Sequence, residues 1–349
     1  MMNANTITAK LAESLEIGPL TLRNRVILAP MSGISDAPFR RLAHGLGAGL
    51  TVSEMVASEG LLQENPNMRR RMLVDGVTPK AVQLAGREAY WMGEGAKRAE
   101  QEGAQLIDIN MGCPARRVTS GLSGSALMRD LDHALTLIEA TVAAVGVPVT
   151  LKMRLGWNED SLNAPELARR AERAGVRMIT VHGRTRCQFY QGKADWRAIA
   201  QVKQAVSIPV IANGDLASLD DVEPMLAQSA ADGVMVGRAS MGRPWLLGQI
   251  ADHAAGGTGA PPSAETRGAL MQQHYRDMIA LYGADVGVRH ARKHLAAYVE
   301  HGGLDPAAQK IWRERICRQN DPRVVEGDLR ELTDDMIARA AAQAERCAA

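Results

Sequence analysis

The stretch LIDINMGCPARRVTSGLSGSALMRDLDHALTLIEATVAAVGVPVTLKM, residues 106–153, decides the fold, because it holds one complete strand–helix–strand unit. Leu106 to Asn110 is a short β-type run, and Asp130 stands where a helix cap belongs, ahead of the helical pattern from Leu131 to Val145. Gly146-Val-Pro148 then turns the chain into a second run, Val149 to Met153. Short β-type runs alternating with a longer helical pattern are the signature of β-α units whose parallel strands are buried on two faces. Outward from this unit the alternation recurs, with strands predicted at Val26 to Ala29, Leu50 to Ser53, Ala81 to Leu84, Met178 to His182, Val210 to Asn213 and Gly233 to Val236. Asp36 ahead of PFRRLAHGL and Ser218 ahead of LDDVEPMLAQ are further helix caps, and Arg87 to Glu102 is amphipathic. Eight such units predict an α/β fold, a closed (β/α)8 TIM barrel.

The chain has 349 residues, which suits one barrel of about 250 residues and an appendage of about 100. Hydrophobic residues at 46% against 23% charged exclude global disorder. A net charge of +2 identifies no nucleic-acid partner by itself, so any basic patch must be local. Aromatics make up 3%, so a nucleic-acid site here cannot rest on many stacked rings. Cys113, Cys187, Cys317 and Cys347 lie far apart, without the spacing of a disulfide framework or a zinc site, and no metal is expected. The start, MMNANTITAKLAESLEI, lacks the pattern of a signal peptide, and no run is long and apolar enough for a membrane span. These readings predict a cytoplasmic protein with no membrane contact and no stable protein partner.

The stretch Ala254 to Ser263 is rich in Gly, Pro and small residues. It divides the chain into a barrel over residues 1–255, a linker over 256–264 and an all-helical domain over 265–349. Helices are predicted around Thr266 to Tyr282, Val288 to His301, Pro306 to Arg318 and Gly327 to Arg346. Between Arg289 and Arg318 the bases Arg289, Arg292, Lys293, Lys310, Arg313, Arg315 and Arg318 outnumber Glu300, Asp305 and Glu314, a local net charge of +4.

Turn signals before the strands, such as Gly175 and Ile208-Pro209, mark the bottom of the barrel. The chemically capable residues fall at the opposite ends: Pro30-Met31, Glu54, Gln83, Asn110, Lys152, His182, Asn213-Gly214-Asp215 and Gly237-Arg238. Barrel enzymes place their sites at that rim. Cys113, in Asn110-Met-Gly-Cys-Pro114, sets a thiol above the mouth; by residue type it suits a buried structural role, proton donation or nucleophilic attack. Lys152, alone among apolar neighbours, either meets an anion or reaches solvent along its stem. His182 is equally a structural histidine or a chemical one, and Gln83 either bonds a polar ring edge or is a plain loop amide. Gly214 and Gly237 allow close backbone approach beside Arg238, where barrels commonly bind phosphate.

Together these residues resemble the tRNA-dihydrouridine synthase family. The matching elements are LRNRVILAPMSGISDAPFR at 22–40, Ser53-Glu-Met55, Gln83-Leu-Ala-Gly86, Asp108-Ile-Asn-Met-Gly-Cys-Pro114, Gly124-Ser-Ala-Leu127, Lys152-Met-Arg154, Val181-His-Gly-Arg184, Ala212-Asn-Gly-Asp215, Gly237-Arg238 and Arg292-Lys-His-Leu-Ala296. The last element departs from the family pattern, with Ala297 where a tryptophan is usual. The resemblance implies an FMN-binding barrel that reduces tRNA uridines to 5,6-dihydrouridine, with NADPH (or NADH) as electron donor. It further implies Pro30, Met31 and Ser32 against the flavin, and Gln83 and Lys152 at its polar edge. Asn213, Gly214, Asp215, Gly237 and Arg238 would hold its phosphate, His182 would be a further contact, and Cys113 would be the catalytic acid. For tRNA it implies Asn110 and Arg184 at the mouth and Arg292, Lys293, Arg313, Arg315 and Arg318 on the helical domain, gripping backbone and shape. Two competing readings are an FMN barrel acting on a small molecule, dihydroorotate dehydrogenase-like or ene-reductase-like, and a barrel that has lost its chemistry and only binds RNA.

Overall fold

Two antiparallel strands, β1 (Leu15–Ile17) and β2 (Leu20–Leu22), precede the barrel and close its lower end. The structure, a computed structural model, describes residues 4–72 and 76–348. The barrel staves follow as β3 (Val26–Leu28), β4 (Leu50–Thr51), β5 (Val56–Ala57), β6 (Ala81–Ala85), β7 (Leu106–Met111), β8 (Val149–Arg154), β9 (Met178–His182), β10 (Val210–Asn213) and β11 (Gly233–Val236). All are parallel, in the order β4-β3-β11-β10-β9-β8-β7-β6-β5. A Val52–Ala81 bridge and a 3.0 Å hydrogen bond from Ser53 N to Ala81 O join the ends, so the eight-stave barrel closes.

Leu15, Ile17 and Leu22 of the hairpin pack with Ile27, Leu50, Ala81, Leu106, Met178, Ile211 and Met235 from seven staves. Short strands around Gly18-Pro19 gave no element in the sequence reading, yet they complete the core.

The second stave departs from the predicted run Leu50 to Ser53. Regular pairing ends at Thr51 and resumes at Val56, because Ser53 turns its side chain into the ladder. Its Oγ accepts Gln83 N at 2.9 Å and donates to Glu54 O at 2.9 Å, taking the place of a backbone partner for Gln83, so that beyond the Val52–Ala81 bridge and the Ser53 N bond the segment 52–55 bends away from regular pairing.

Three predicted caps form. Asp36 accepts Phe39 N at 3.1 Å, Asp130 accepts His133 N at 3.0 Å, and the Ser218 backbone N–H donates to Asp221 at 2.8 Å, opening a 3-10 turn before the helix Val222–Ser229. A side-chain cap is worth about 1 kcal/mol.

Contacts divide the chain into two units: Met1–Gly237 with Leu247–Gly259, and Arg238–Leu246 with Ala260–Ala349. The second unit holds four helices, Ala264–Tyr282, Ala284–Glu300, Pro306–Arg318 and Pro322–Ala348. At Gly268 a Cβ would lie 2.2 Å from Thr333 Cγ2, so glycine sets how closely the first and last of these helices approach. Their core contains His274, His294 and Tyr298, all buried. His274 Nδ1 lies 3.2 Å from the Tyr298 hydroxyl, and the two imidazoles meet edge to face at 4.7 Å. Burial pulls His274 down to about 3 and His294 well below the usual histidine value, while it pushes Tyr298 up. Among the described residues no helix is long and apolar enough to cross a membrane. Cys113, Cys187 and Cys317 are free thiols; the Cys347 side chain lies outside the described residues.

Candidate active site

Strand period 2 aims Asp108 and Asn110 of β7, and Thr150 and Lys152 of β8, into the barrel, where β8 runs in register with Thr150 beside Asp108 and Lys152 beside Asn110. On the adjacent strand β6, Gln83 is the register partner of Asp108. The Gln83 amide is fixed at both ends: Nε2 donates to Asp108 Oδ2 at 2.7 Å, and Oε1 accepts Asn110 Nδ2 at 2.8 Å. Thr150 Oγ1 donates to Asp108 Oδ1 at 2.7 Å. Burial raises the Asp108 pKa, opposed by these two hydrogen bonds and by the Lys152 charge. The sequence reading assigned Asp108 no role, although two polar residues at alternate positions of an otherwise apolar strand were its signal.

Lys152 is 9% exposed, and its Nζ donates to Asn213 Oδ1 at 3.2 Å. Asn213 in turn donates to Met235 O at 2.8 Å, which fixes its carbonyl toward the lysine. Burial, helped by the nearby Arg154 charge, pulls Lys152 down to about 8, while Asp108 and Cys113 act to raise it. An ammonium with three donors and one protein acceptor at the end of a barrel strand is equipped to bind an acceptor from outside the chain.

Asn110 also shapes the Cys113 loop. Its Oδ1 accepts Gly112 N at 3.2 Å and Cys113 N at 3.0 Å, and the Cys113 carbonyl is held by Ser125 Oγ at 2.8 Å. The half-buried thiol is thus positioned through backbone bonds. Asn110, predicted to touch substrate, is committed to this bracing and to Gln83.

Arg154, which the sequence reading gave no role, ties the loops after β7 and β9 together. The residue is 1% exposed, and its guanidinium donates to Gly112 O at 2.9 Å and to Thr185 O and Phe189 O at 2.8 Å each. Arg184, predicted to contact substrate, is likewise buried at 2%. It donates to Asp215 Oδ2 at 2.6 Å, Gly192 O at 2.6 Å and Gln191 O at 3.0 Å, and it lies 3.3 Å from His182 Nε2. The Asp215 carboxylate thus accepts from both Arg184 and Ala194 N, the latter at 2.7 Å. Gly214, at φ +114°, has its Cβ direction 2.9 Å from both the His182 ring and Ala194 Cβ, so this turn requires glycine.

On the first stave, the Pro30–Ser35 loop folds back through Met31 N to Ser35 Oγ at 2.7 Å, and buried Glu54 accepts Gly33 N. Ser32 is exposed there. A Cβ on Gly237 would meet only Ala29 Cβ and Met31 Sδ, each at 3.9 Å. Arg238 follows directly, exposed, in the 3-10 turn Arg238–Ser240.

In the helical unit, Arg313 and Arg318 are exposed, and Arg318 lies 3.9 Å from Glu314. Lys293 is half-buried. Arg315 is held by Asp328 at 2.6 Å and Glu331 at 2.7 Å, and Arg292 donates to Gln319 O and Asn320 Oδ1, bracing the turn before the last helix.

Residues 27–341 match the family described as Dihydrouridine synthase (Dus). A Rhizobium leguminosarum bv. phaseoli protein named as a probable tRNA-dihydrouridine synthase is 52% identical over 315 residues, 90% of this chain and 97% of that one. One from Rhodobacter capsulatus, named likewise, is 54% identical over 314 residues, 88% and 94% of the two chains. A solved 2-naphthoyl-CoA reductase complex shares the fold with a TM-score of 0.56 at 13% identity, over 71% of this chain and 53% of that longer one.

Proposed function

The chain belongs to the dihydrouridine synthase family, and from that premise we propose that it reduces uridines of tRNA to 5,6-dihydrouridine at the Cys113–Lys152 rim, with FMN as cofactor and NADPH or NADH as reductant. The observation that carries the residue roles is the pairing of a spare-donor ammonium, Lys152, with a thiol, Cys113, whose loop is fixed by the register neighbour of that lysine, Asn110.

The donor set fits a flavin mononucleotide. Lys152 would offer a cation to the polar edge of the ring, the exposed Arg238, next to Gly237 in the chain, a charged fork to the phosphate, and Met31 an apolar surface. Pro30, Ser32 and His182 would be further contacts of the ring, and Asn213 and Gly214 would help to hold its phosphate. Gln83 contributes indirectly, since both ends of its amide are held within the protein. The chemistry a bound flavin supplies is hydride delivery to carbon 6 of uracil. Charge then develops on the uracil as an enolate over carbons 4 and 5, and Cys113 donates the proton to carbon 5. A protonated thiol is the right species for that step, and Lys152 supplies fixed positive charge in a low-dielectric site. Reaching a stacked base requires extrusion into the mouth, at a few kcal/mol offset by backbone contacts. Exposed Arg313 and Arg318, with Lys293, offer such contacts, whereas the Arg315 charge is cancelled by two carboxylates. This activity belongs in the cytoplasm, with its tRNA substrate.

The test is anaerobic. The purified protein is reduced with NADPH, tRNA lacking dihydrouridine is added, and flavin absorbance is followed. Rapid reoxidation by tRNA, with little by free uridine or orotate, is the expected result; reoxidation by orotate alone transfers the protein to small-molecule chemistry. Cys113→Ala should keep tRNA affinity and reduction by NADPH while losing most uridine turnover, and near-normal turnover overturns the acid role.

A further inference from the structure

Arg169 and Arg170, on the outer wall of the barrel, share Glu166, and Arg170 also reaches Asp132. Around the Cys113 loop the pattern changes. Arg116, Arg117, Arg129 and Arg186 form no ion pair among the described residues, and the first three are exposed.

Their placement is built. Arg116 and Arg117 open the short helix that follows Cys113-Pro114. Arg129 ends the 3-10 segment Gly124–Arg129, whose Ser125 holds the Cys113 carbonyl. Arg186 donates to Thr119 Oγ1 at 3.4 Å, joining the loop after β9 to that short helix. The guanidinium carbons of Arg129 and Arg186 both lie 4.6 Å from the centre of the Trp157 ring, and Arg186 lies at the same distance from Phe189. Asp130, the carboxylate next to Arg129, is engaged as a helix cap. Two like charges held over one indole repel each other, a repulsion that a bound anion relieves.

We propose that these arginines, organised by Trp157, form an RNA grip on the barrel itself, holding the phosphodiester backbone that flanks the nucleotide entering the mouth. The inference rests on the tRNA reading above and adds a second electrostatic contact to that of the helical unit. A phosphate takes two donors of a planar guanidinium, and a run of phosphates suits several unneutralised forks along one rim.

The experiment measures affinity for an unmodified tRNA transcript between 50 and 200 mM salt. Arg129→Gln/Arg186→Gln should raise Kd roughly tenfold and lower the salt slope by about 1.5, given roughly 0.7 to 0.9 per lost phosphate contact. Arg116→Gln/Arg117→Gln, two exposed positions of the short helix, should act in the same direction. Arg169→Gln/Arg170→Gln removes the same charge from the outer wall and should leave slope and Kd unchanged. Wild-type slopes in both rim variants, or equal losses in the outer-wall control, overturn the proposal while leaving the enzyme reading intact. Absence of tRNA binding by the wild-type protein overturns both.

Discussion

Lowering the pH from 7.5 to 4.5 should destabilise the fold through the two interior histidines of the helical unit. His274 keeps its imidazole neutral in the fold down to about pH 3, whereas in the unfolded chain it takes a proton near pH 6.5. The unfolded state therefore binds one more proton throughout that window, and folding stability falls as pH falls. The slope is about 1.4 kcal/mol per pH unit for one proton, so by pH 5 His274 alone costs about 2 kcal/mol relative to neutral pH. His294, buried against it, shifts in the same direction and adds to the loss. Above pH 7 both contributions are complete. The assay is urea unfolding followed by circular dichroism at 222 nm at half-unit pH steps, on the wild-type protein and on His274→Leu. The variant loses the hydrogen bond to Tyr298 and starts less stable at pH 7.5, but its stability should decline less steeply, by about 1.4 kcal/mol per pH unit between pH 6 and 4. Equal slopes in the two proteins would refute the assignment of a neutral buried imidazole.

Raising the pH probes Lys152, which is charged below about 8. Initial rates of uridine reduction should fall as pH passes that value; Lys152→Met should remove this limb, and Lys152→Arg should carry it upward. Gly214→Ala places a methyl group 2.9 Å from the His182 ring at φ +114°, and should cost about 1–3 kcal/mol, read as a drop in Tm. An unchanged Tm would mean that the turn relaxes freely. Arg154→Met leaves the carbonyls of Gly112, Thr185 and Phe189 without their donor, and the loops after β7 and β9 should become cleavable by trypsin under conditions where the wild-type barrel is not.

The staves were legible because parallel strands buried on both faces leave short apolar runs, each followed by the polar residue that reaches the rim. The bend at residues 52–55 was not, since it depends on the Ser53 hydroxyl entering a ladder formed by Gln83, thirty residues away. Site residues were legible by address and illegible by allegiance. Arg184 and Asp215 stand where predicted but face each other, and the Gln83 amide is saturated by Asp108 and Asn110. Charge counting along the chain failed for a related reason. The window from Arg289 to Arg318 omits Asp328 and Glu331, which cancel Arg315 from the next helix. Short-range sums register sign along the chain, whereas pairing is decided across helices.

The lower hairpin has a consequence for the order in which this protein assembles on the ribosome. Leu15, Ile17 and Leu22 leave the exit tunnel some two hundred residues ahead of Ile211 of β10 and Met235 of β11, which belong to the floor they complete. Until those staves are synthesised, the hairpin has an apolar face with no barrel to plug. Closure of the ring and seating of its floor thus wait on the translation of β10 and β11, and the nascent chain carries exposed apolar surface throughout that interval.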